Sequence, residues 1–286
     1  MPGMRDIKRR IRSIQSTQQI TKAMKTVAAA KLRKTQGKVV AARPYAEKLG
    51  QVLGRLAADL EEYEHPFLEE REGGTAAYVV VTGDRGLAGG YNINVMRLAE
   101  ETIREKKEEQ VAIIAVGRKA RDYFRRRNYS LLREYLEIGD EPHYIQAREL
   151  ARELVGIYLK GEVDKLYLVY TSFYSTIRHV PRVEQLLPVE ILPSGPEEQD
   201  LQEYLYEPAK EIVLETLLPR YLETLTYRAL LEAKTSEHGA RMTAMDAATD
   251  NAAEMIDKLT LSFNRARQAA ITREISEIVG GAAALS

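Results

Sequence analysis

Apolar positions in the first sixty residues recur at alternating intervals of three and four. Leu32, Thr35, Val39, Ala42, Ala46, Leu49, Leu53, Leu56 and Leu60 keep that alternation without a gap, the seven-residue repeat of a left-handed coiled coil. Ile7, Ile11 and Ile14 hold the same spacing. Ile20, Met24 and Val27 hold it with the frame displaced, so a stutter is expected there. The last third repeats the theme. Met242, Met245, Thr249, Ala252, Ile256, Leu259, Phe263, Ala266 and Ala270 alternate, and after a slip Ile271, Ile275, Ile278, Ala282 and Leu285 extend the stripe. Gly37 and Pro44 interrupt the first pattern, Pro219 interrupts the second, and Pro208 suits a first helical position. At about 1.5 Å per residue, stretches 4–60 and 220–284 would run for about 85 and about 100 Å. A compact globule of this chain length is only about 50 Å across. Each helix has one apolar seam, so each needs a partner. The simplest arrangement pairs the two termini as an antiparallel coiled coil, and a bundle folded back at Pro44 and Pro219 is the alternative.

The middle third changes period. AAYVVVTGDRGLAGGYN reads as a buried strand at Tyr78–Thr82, a glycine-rich turn and a helix start; VAIIAVGRKARDYF repeats that order with a strand at Val111–Val116. YIQARELARELVGIYL is an amphipathic helix, followed by the strand DKLYLVYTSFY, and Thr176–Val189 reads as an antiparallel hairpin on one edge. Strands alternating with helices predict a mainly parallel sheet. The expected class is therefore α+β with a long helical coiled coil, the central domain being Rossmann-like α/β. Its expected divisions are an N-terminal helix over 1–62, a linker over 63–75, the α/β domain over 76–190, a linker or edge segment over 191–207, and a C-terminal helix over 208–286.

Composition narrows the functional classes. The 286 residues carry 42 Lys+Arg against 42 Asp+Glu and no cysteine. A uniformly basic nucleic-acid coat is excluded, as are disulfides, thiolate zinc sites and a cysteine nucleophile. No apolar run is long enough to span a membrane, and the first residues lack a secretory h-region, so a soluble intracellular product is expected. The charge is unevenly spread. Residues 1–50 hold 13 Lys/Arg and two acids, Asp6 and Glu47, whereas DLEEYEHPFLEERE at 59–72 reverses the sign. Such a basic block suits nucleic acid, a membrane surface, an acidic partner or a plain solvated face. Tyr45 is its one aromatic, so a stacking platform for single strands is missing.

Candidate chemistry is sparse. Gly83-Asp84-Arg85-Gly86-Leu87-Ala88-Gly89-Gly90 lies between strand and helix, where α/β folds bind phosphate. Its spacing is neither GxGxxG nor a Walker loop, and an acid stands where phosphate would approach, so it reads as a tight turn needing positive φ. His65, His143, His179 and His238 fall in four separate segments, and no carboxylate pair stands out. Most tyrosines read as packing, while Tyr204 and Tyr206, just before the last helix, suit a docking surface. Near the termini the apolar positions are small or flexible, as in Ala23, Met24, Val27, Ala28, Ala29 and Ala30. Slim helices suit passage through a narrow sleeve.

IQSTQQITKAMKTVAAAKLRK, RPYAEKL, TGDRGLAGGYN, LLEAKTSEHGARMTAMDAATDNA and NRARQAAITREISEIVGGAAAL together span essentially the whole chain. On these motifs it resembles the gamma subunit family of F-type ATP synthases. The resemblance implies a coiled-coil shaft with an α/β foot, no catalysis and no cofactor of its own. It implies a shaft inside a ring of three alpha and three beta subunits, an epsilon subunit beside it, and a c-subunit rotor ring beneath, at the cytoplasmic face of the cell membrane without insertion. It implies ring contacts at Met24, at Lys8, Arg9, Arg10, Lys22, Lys31, Arg33 and Lys34, and at Arg267, Gln268 and Thr272. It places Tyr204 and Tyr206 toward the rotor ring. The cysteine pair inserted in chloroplast members is absent, so thiol control is not expected, and a bacterial source is favoured. The competing classes are a coiled-coil nucleic-acid-binding or tethering module and a nucleotide-dependent α/β enzyme.

Overall fold

A computed structural model describes residues 4–58, 65–71, 74–190 and 206–285. The chain divides into two compact units, one of Met1–Ala28 with Met242–Ser286, the other of Ala29–Arg241. Helices α1 (Met4–Ala58) and α5 (Lys210–Leu285) contribute to both.

The larger unit is built on a five-stranded sheet. Its elements are β1 (Thr75–Val81), α2 (Tyr91–Lys106), β2 (Gln110–Val116), α3 (Arg118–Arg126), β3 (Ser130–Tyr135), α4 (Tyr144–Leu159), β4 (Lys165–Phe173) and β5 (His179–Leu187). The order is β3-β2-β1-β4-β5, with the first four parallel and β5 antiparallel to β4. β1 and β2 are near-continuous apolar runs, TAAYVVV and QVAIIAV, as strands covered on both faces must be. One face presents Ala77, Val79, Val81, Ile114, Leu166, Leu168 and Tyr170 to Leu49, Leu53 and Leu56 of α1, Leu150 and Leu154 of α4, and Leu214, Leu218 and Leu222 of α5. The other packs Tyr78, Val80, Ile113, Ala115, Tyr167 and Val169 against Val95, Met96 and Ala99 of α2 and Ala120 and Phe124 of α3. Full burial of each such large side chain is worth about 1.5–3 kcal/mol.

β3 was not legible in the sequence. SLLREY is an edge strand whose exposed and half-buried residues do not alternate, because its pairing with β2 is irregular between Ile113 and Ile114, so it carries no period-two signal. α1 runs without a break through Pro44, and α5 through Pro219, so the bundle folded back at those prolines does not form. α5 begins at Lys210 rather than at Pro208.

In the smaller unit, α1 and α5 pair antiparallel. The Thr21 and Thr249 hydroxyls lie 2.8 Å apart, and Lys25 Nζ donates to Asp246 Oδ1 at 2.5 Å. The α1 positions turned inward are Ile7, Ile11, Ile14, Gln18, Thr21, Lys25 and Ala28. They continue the frame of Leu32 and Thr35 in unbroken steps of four and three. The expected stutter is therefore absent: polar residues hold the seam, and Ile20 (57% exposed) and Val27 (55%) point outward. On α5 the stripe from Met245 to Ala270 is buried or half-buried, whereas Ile271, Ile275 and Ile278 are exposed. Both helices rise equally per residue, so α5 beyond about residue 266 has run past the first described residue of α1.

Candidate functional site

The glycine-rich turn, the one place where the sequence raised nucleotide chemistry, is closed by the chain itself. Asn92 Oδ1 accepts from Gly83 N at 2.8 Å, and its amide donates to the Arg85 carbonyl. Left-handed conformations fall at Leu87 (φ 60°) and Gly89 (φ 54°), as the tight-turn reading required. The N-terminus of α3, the natural anion site beside it, is also filled. Arg118 N donates to Asp84 Oδ1 at 2.9 Å, Lys119 N to the Gly83 carbonyl, and Ala120 N to Thr82 Oγ1 at 2.9 Å. A phosphate would have to displace a carboxylate there. Gly117, at φ 99°, makes the close packing possible: a Cβ would stand 2.4 Å from the Thr82 carbonyl oxygen.

The crevice outside the carboxyl ends of β1 and β4 is filled from α5. Residues 229–240 of α5 are buried all round, polar members included: Glu232, Lys234, Thr235, Ser236, Glu237 and His238 are all below one-tenth exposed. Lys234 Nζ and Arg241 Nη2 both donate to the Glu237 carboxylate, at 3.0 and 2.7 Å. Burial pushes that carboxyl up, but the two cations outweigh it and hold it below the usual value. His238 Nε2 lies 3.1 Å from the Asp140 carbonyl oxygen, and burial pulls the imidazole below its ordinary range.

The sequence-predicted contact residues separate into two groups. In the smaller unit, Lys8, Arg9, Arg10 and Lys22 are exposed along α1, Met24 is half-buried, and Arg267, Gln268 and Thr272 are exposed on α5. Arg9 pairs with Asp6 of its own helix at 2.9 Å. In the larger unit, Arg33 is exposed, but Lys31 and Lys34 are held by the connection between β3 and α4. Lys31 Nζ reaches Asp140 at 2.6 Å, and Lys34 and Lys38 reach Glu141 at 2.6 and 3.2 Å. Tyr206 is half-buried against the larger core, and Tyr204 lies outside the described residues. The polar seam members Gln18, Thr21 and Lys25 and the buried α5 cluster were missed, because apolar periodicity counts only apolar residues. Lys234, Glu237 and Arg241, spaced three and four apart with alternating sign, were the available signal.

One unit is an α/β domain whose glycine-rich turn and crevice are occupied by its own side chains, and the other is an antiparallel pair of long helices, which together define the class of α/β proteins with a terminal-helix coiled coil. A family model described as ATP synthase matches residues 3–285. The chain is similar to the ATP synthase gamma chains of Moorella thermoacetica, at 62% identity over 285 residues covering 100% of both chains, and of Desulfitobacterium hafniense, at 53% with the same coverage. Among solved structures, the central stalk and c-ring of the Tetrahymena thermophila mitochondrial ATP synthase includes a chain with TM-score 0.61 at 24% identity, covering 80% of this chain and 99% of that one. A chain of the Euglena gracilis mitochondrial ATP synthase rotor has TM-score 0.65 at 19% identity, covering 94% and 98%. The chain belongs to the gamma chain family of ATP synthases. The nucleic-acid and tethering reading finds no support in that membership. Among the described residues no helix is long and apolar enough to cross a membrane.

Proposed function

We propose that the chain is the central rotor shaft of an F-type ATP synthase, a non-catalytic subunit passing torque between an ion-driven membrane rotor and a ring of three alpha and three beta subunits. The observation that carries the reading is the contrast between closed and open surfaces. The α/β unit has filled the positions where its fold binds ligands, while α5 carries exposed apolar side chains, Ile271, Ile275, Ile278 and Val279, on a stretch lined by polar Arg267, Gln268 and Thr272. One asymmetric shaft meets three equivalent beta subunits differently, so it biases their conformational equilibria differently, and turning it passes those biases round the ring. The shaft segments are 1–62 and 208–286, the foot is 76–190, and 63–75 and 191–207 are the links. Met24, Lys8, Arg9, Arg10, Lys22, Lys31, Arg33, Lys34, Arg267, Gln268 and Thr272 are the ring contacts. Exposed cations of this kind bind weakly one at a time, which suits a surface that must slide. Lys31 and Lys34 would first have to exchange their partners Asp140 and Glu141. Tyr204 and Tyr206 are the contacts toward the c-subunit ring, an epsilon subunit is a further partner, and the complex stands at the cytoplasmic face of the membrane.

The test is ATP hydrolysis by alpha and beta subunits from the same source, with and without the chain, after size exclusion. One copy eluting with three of each and stimulating turnover, with no hydrolysis by the chain alone, is expected. A chain that stays apart while alpha and beta assemble refutes the shaft. Replacing Arg267 and Gln268 together by Ala should lower coupled ATP synthesis, and unchanged synthesis removes them from the contacts.

A further inference from the structure

In a sheet ordered β3-β2-β1-β4, the crossovers leave β1 and enter β4 on opposite sides, and the crevice between their carboxyl ends is where open α/β folds seat ligands. Here it holds a knot of three elements. Glu232 of α5 has a side chain only 5% exposed. Its Oε2 accepts from Ser172 Oγ at 2.5 Å and from Phe173 N at 3.2 Å, both at the end of β4. Its Oε1 accepts from Arg43 Nε of α1 at 3.1 Å. Arg43 Nη2 in turn donates to the Phe173 carbonyl. α1, α5 and β4 therefore each bond to the other two, and every bond in the set joins different elements. One turn further along α5, Ser236 Oγ donates to the Thr171 carbonyl at 3.2 Å.

Glu232 is buried but the Arg43 side chain is 34% exposed, and such a pair is a weak device for stability, since apolar residues of the same volume often do as well. It does supply direction. Apolar packing holds a helix on a sheet without directional bonds, whereas a carboxylate and a guanidinium bonded to both the N–H and the C=O of one strand residue add fixed directions as well. We propose that Glu232 and Arg43 are positioning residues that lock α1 and α5 to the end of β4, forming the rigid joint through which torque enters the helices from the sheet. This rests on the shaft reading above, and it assigns that reading's mechanical link to two named side chains.

The test uses the assembled complex in membranes, carrying the parent chain, E232Q or R43K. E232Q keeps the shape and an acceptor for Phe173 N but removes the charge facing Arg43. R43K keeps the charge but cannot reach both Glu232 and the Phe173 carbonyl. ATP hydrolysis, ATP-driven ion pumping and the angular fluctuation of a bead on the foot, with the ring immobilised, are measured together. Hydrolysis close to the parent rate is expected, with pumping per ATP lower and torsional stiffness reduced by about twofold or more, because neither variant retains the two-pronged geometry. E137Q, which removes an exposed pair with Arg118 on the same unit, is expected to match the parent in all three. If E232Q does not assemble, R43K decides. Parent-like stiffness and pumping in the assembled variants overturn the joint while leaving the shaft reading intact. A parent chain that neither rotates nor stimulates hydrolysis overturns the reading itself, and the joint with it.

Discussion

Replacing Glu237 by Gln should be among the most damaging isosteric changes in the chain. Glu237 carries one negative charge between Lys234 and Arg241, and the three side chains are 5%, 8% and 14% exposed. Glutamine has the same size and still offers one acceptor, so no cavity opens. What changes is charge: two cations are left without a counter-ion at a place where water cannot replace it. Removing one partner of a buried pair costs about 3–5 kcal/mol, and the retained acceptor favours the lower end. Against a typical total stability of about 5–15 kcal/mol, that is a large fraction. K234M combined with E237Q returns the cluster to the single net positive charge of the parent, so the double variant should recover more than half of the loss. Urea unfolding of the full chain can be followed by near-ultraviolet circular dichroism, because 16 tyrosines and no tryptophan supply the signal. A loss below about 1 kcal/mol, the range of ordinary exposed pairs, would refute the argument. So would a double variant no better than the single. The pH dependence has a definite sign. Glu237 is held below its ordinary 4.5 in the fold, so its contribution is complete above that value and is lost as the pH falls through the lowered one. E237Q should flatten the stability profile in that acidic window.

Three smaller predictions follow from single contacts. Gly117→Ala should cost several kcal/mol, because its Cβ would meet the Thr82 carbonyl at 2.4 Å with φ at 99°, whereas Gly161→Ala, at φ 72° with open space around it, should cost only about 1–2 kcal/mol; equal effects in urea unfolding would contradict this. Thr21→Val removes the cross-helix bond at 2.8 Å and leaves the Thr249 hydroxyl only the Met245 carbonyl of its own helix at 2.7 Å, so it should lose about 0.5–1 kcal/mol, while Thr21→Val with Thr249→Val should regain most of it; thermal unfolding of the full chain decides. His238→Gln should remove a loss of stability that the parent shows as the pH falls below 6.5, since burial holds His238 below that ordinary value and the unfolded chain binds the proton first; an unchanged profile between pH 7 and 5 would count against it.

Where burial follows apolar period, the fold could be read directly. The frame of Leu32, Val39, Leu49 and Leu53 is the buried seam of α1, and TAAYVVV and QVAIIAV are central strands. The pattern misled where polarity and burial part company. Ile20, Met24 and Val27 suggested a displaced frame because Gln18, Thr21 and Lys25 do not register as seam residues. Yet Thr21 meets a hydroxyl and Lys25 a carboxylate across the helix pair, so polar groups can face inward at small cost. AKTSEH on α5 is mostly polar and nonetheless enclosed. Its burial depends on partners supplied by Asp140, Thr171 and, for neighbouring Glu232, Ser172 and Phe173, residues about 60–100 positions away that no local pattern can reveal.

The two units differ in what holds their helices, and that difference bears on function. In the larger unit α1 buries Leu49, Leu53 and Leu56 and α5 buries Leu214, Leu218 and Leu222, each large side chain worth about 1.5–3 kcal/mol. In the smaller unit the α1 seam has Ile7, Ile11 and Ile14 toward its start, but its stretch of Gln18, Thr21, Lys25 and Ala28 has little apolar area to hide. Helices are stabilised mainly by packing of one face, so this pair should open far more readily than the sheet. Hydrogen exchange on the chain alone should find α1 amides before Ala28 and α5 amides beyond Met242 exchanging well ahead of those in β1, β2 and β4. Assembly with alpha and beta subunits should slow the first set and leave the strands almost unchanged. Equal protection of both sets in the isolated chain would mean that the polar seam is self-sufficient. The slim, weakly packed pair would then no longer argue for a surrounding ring.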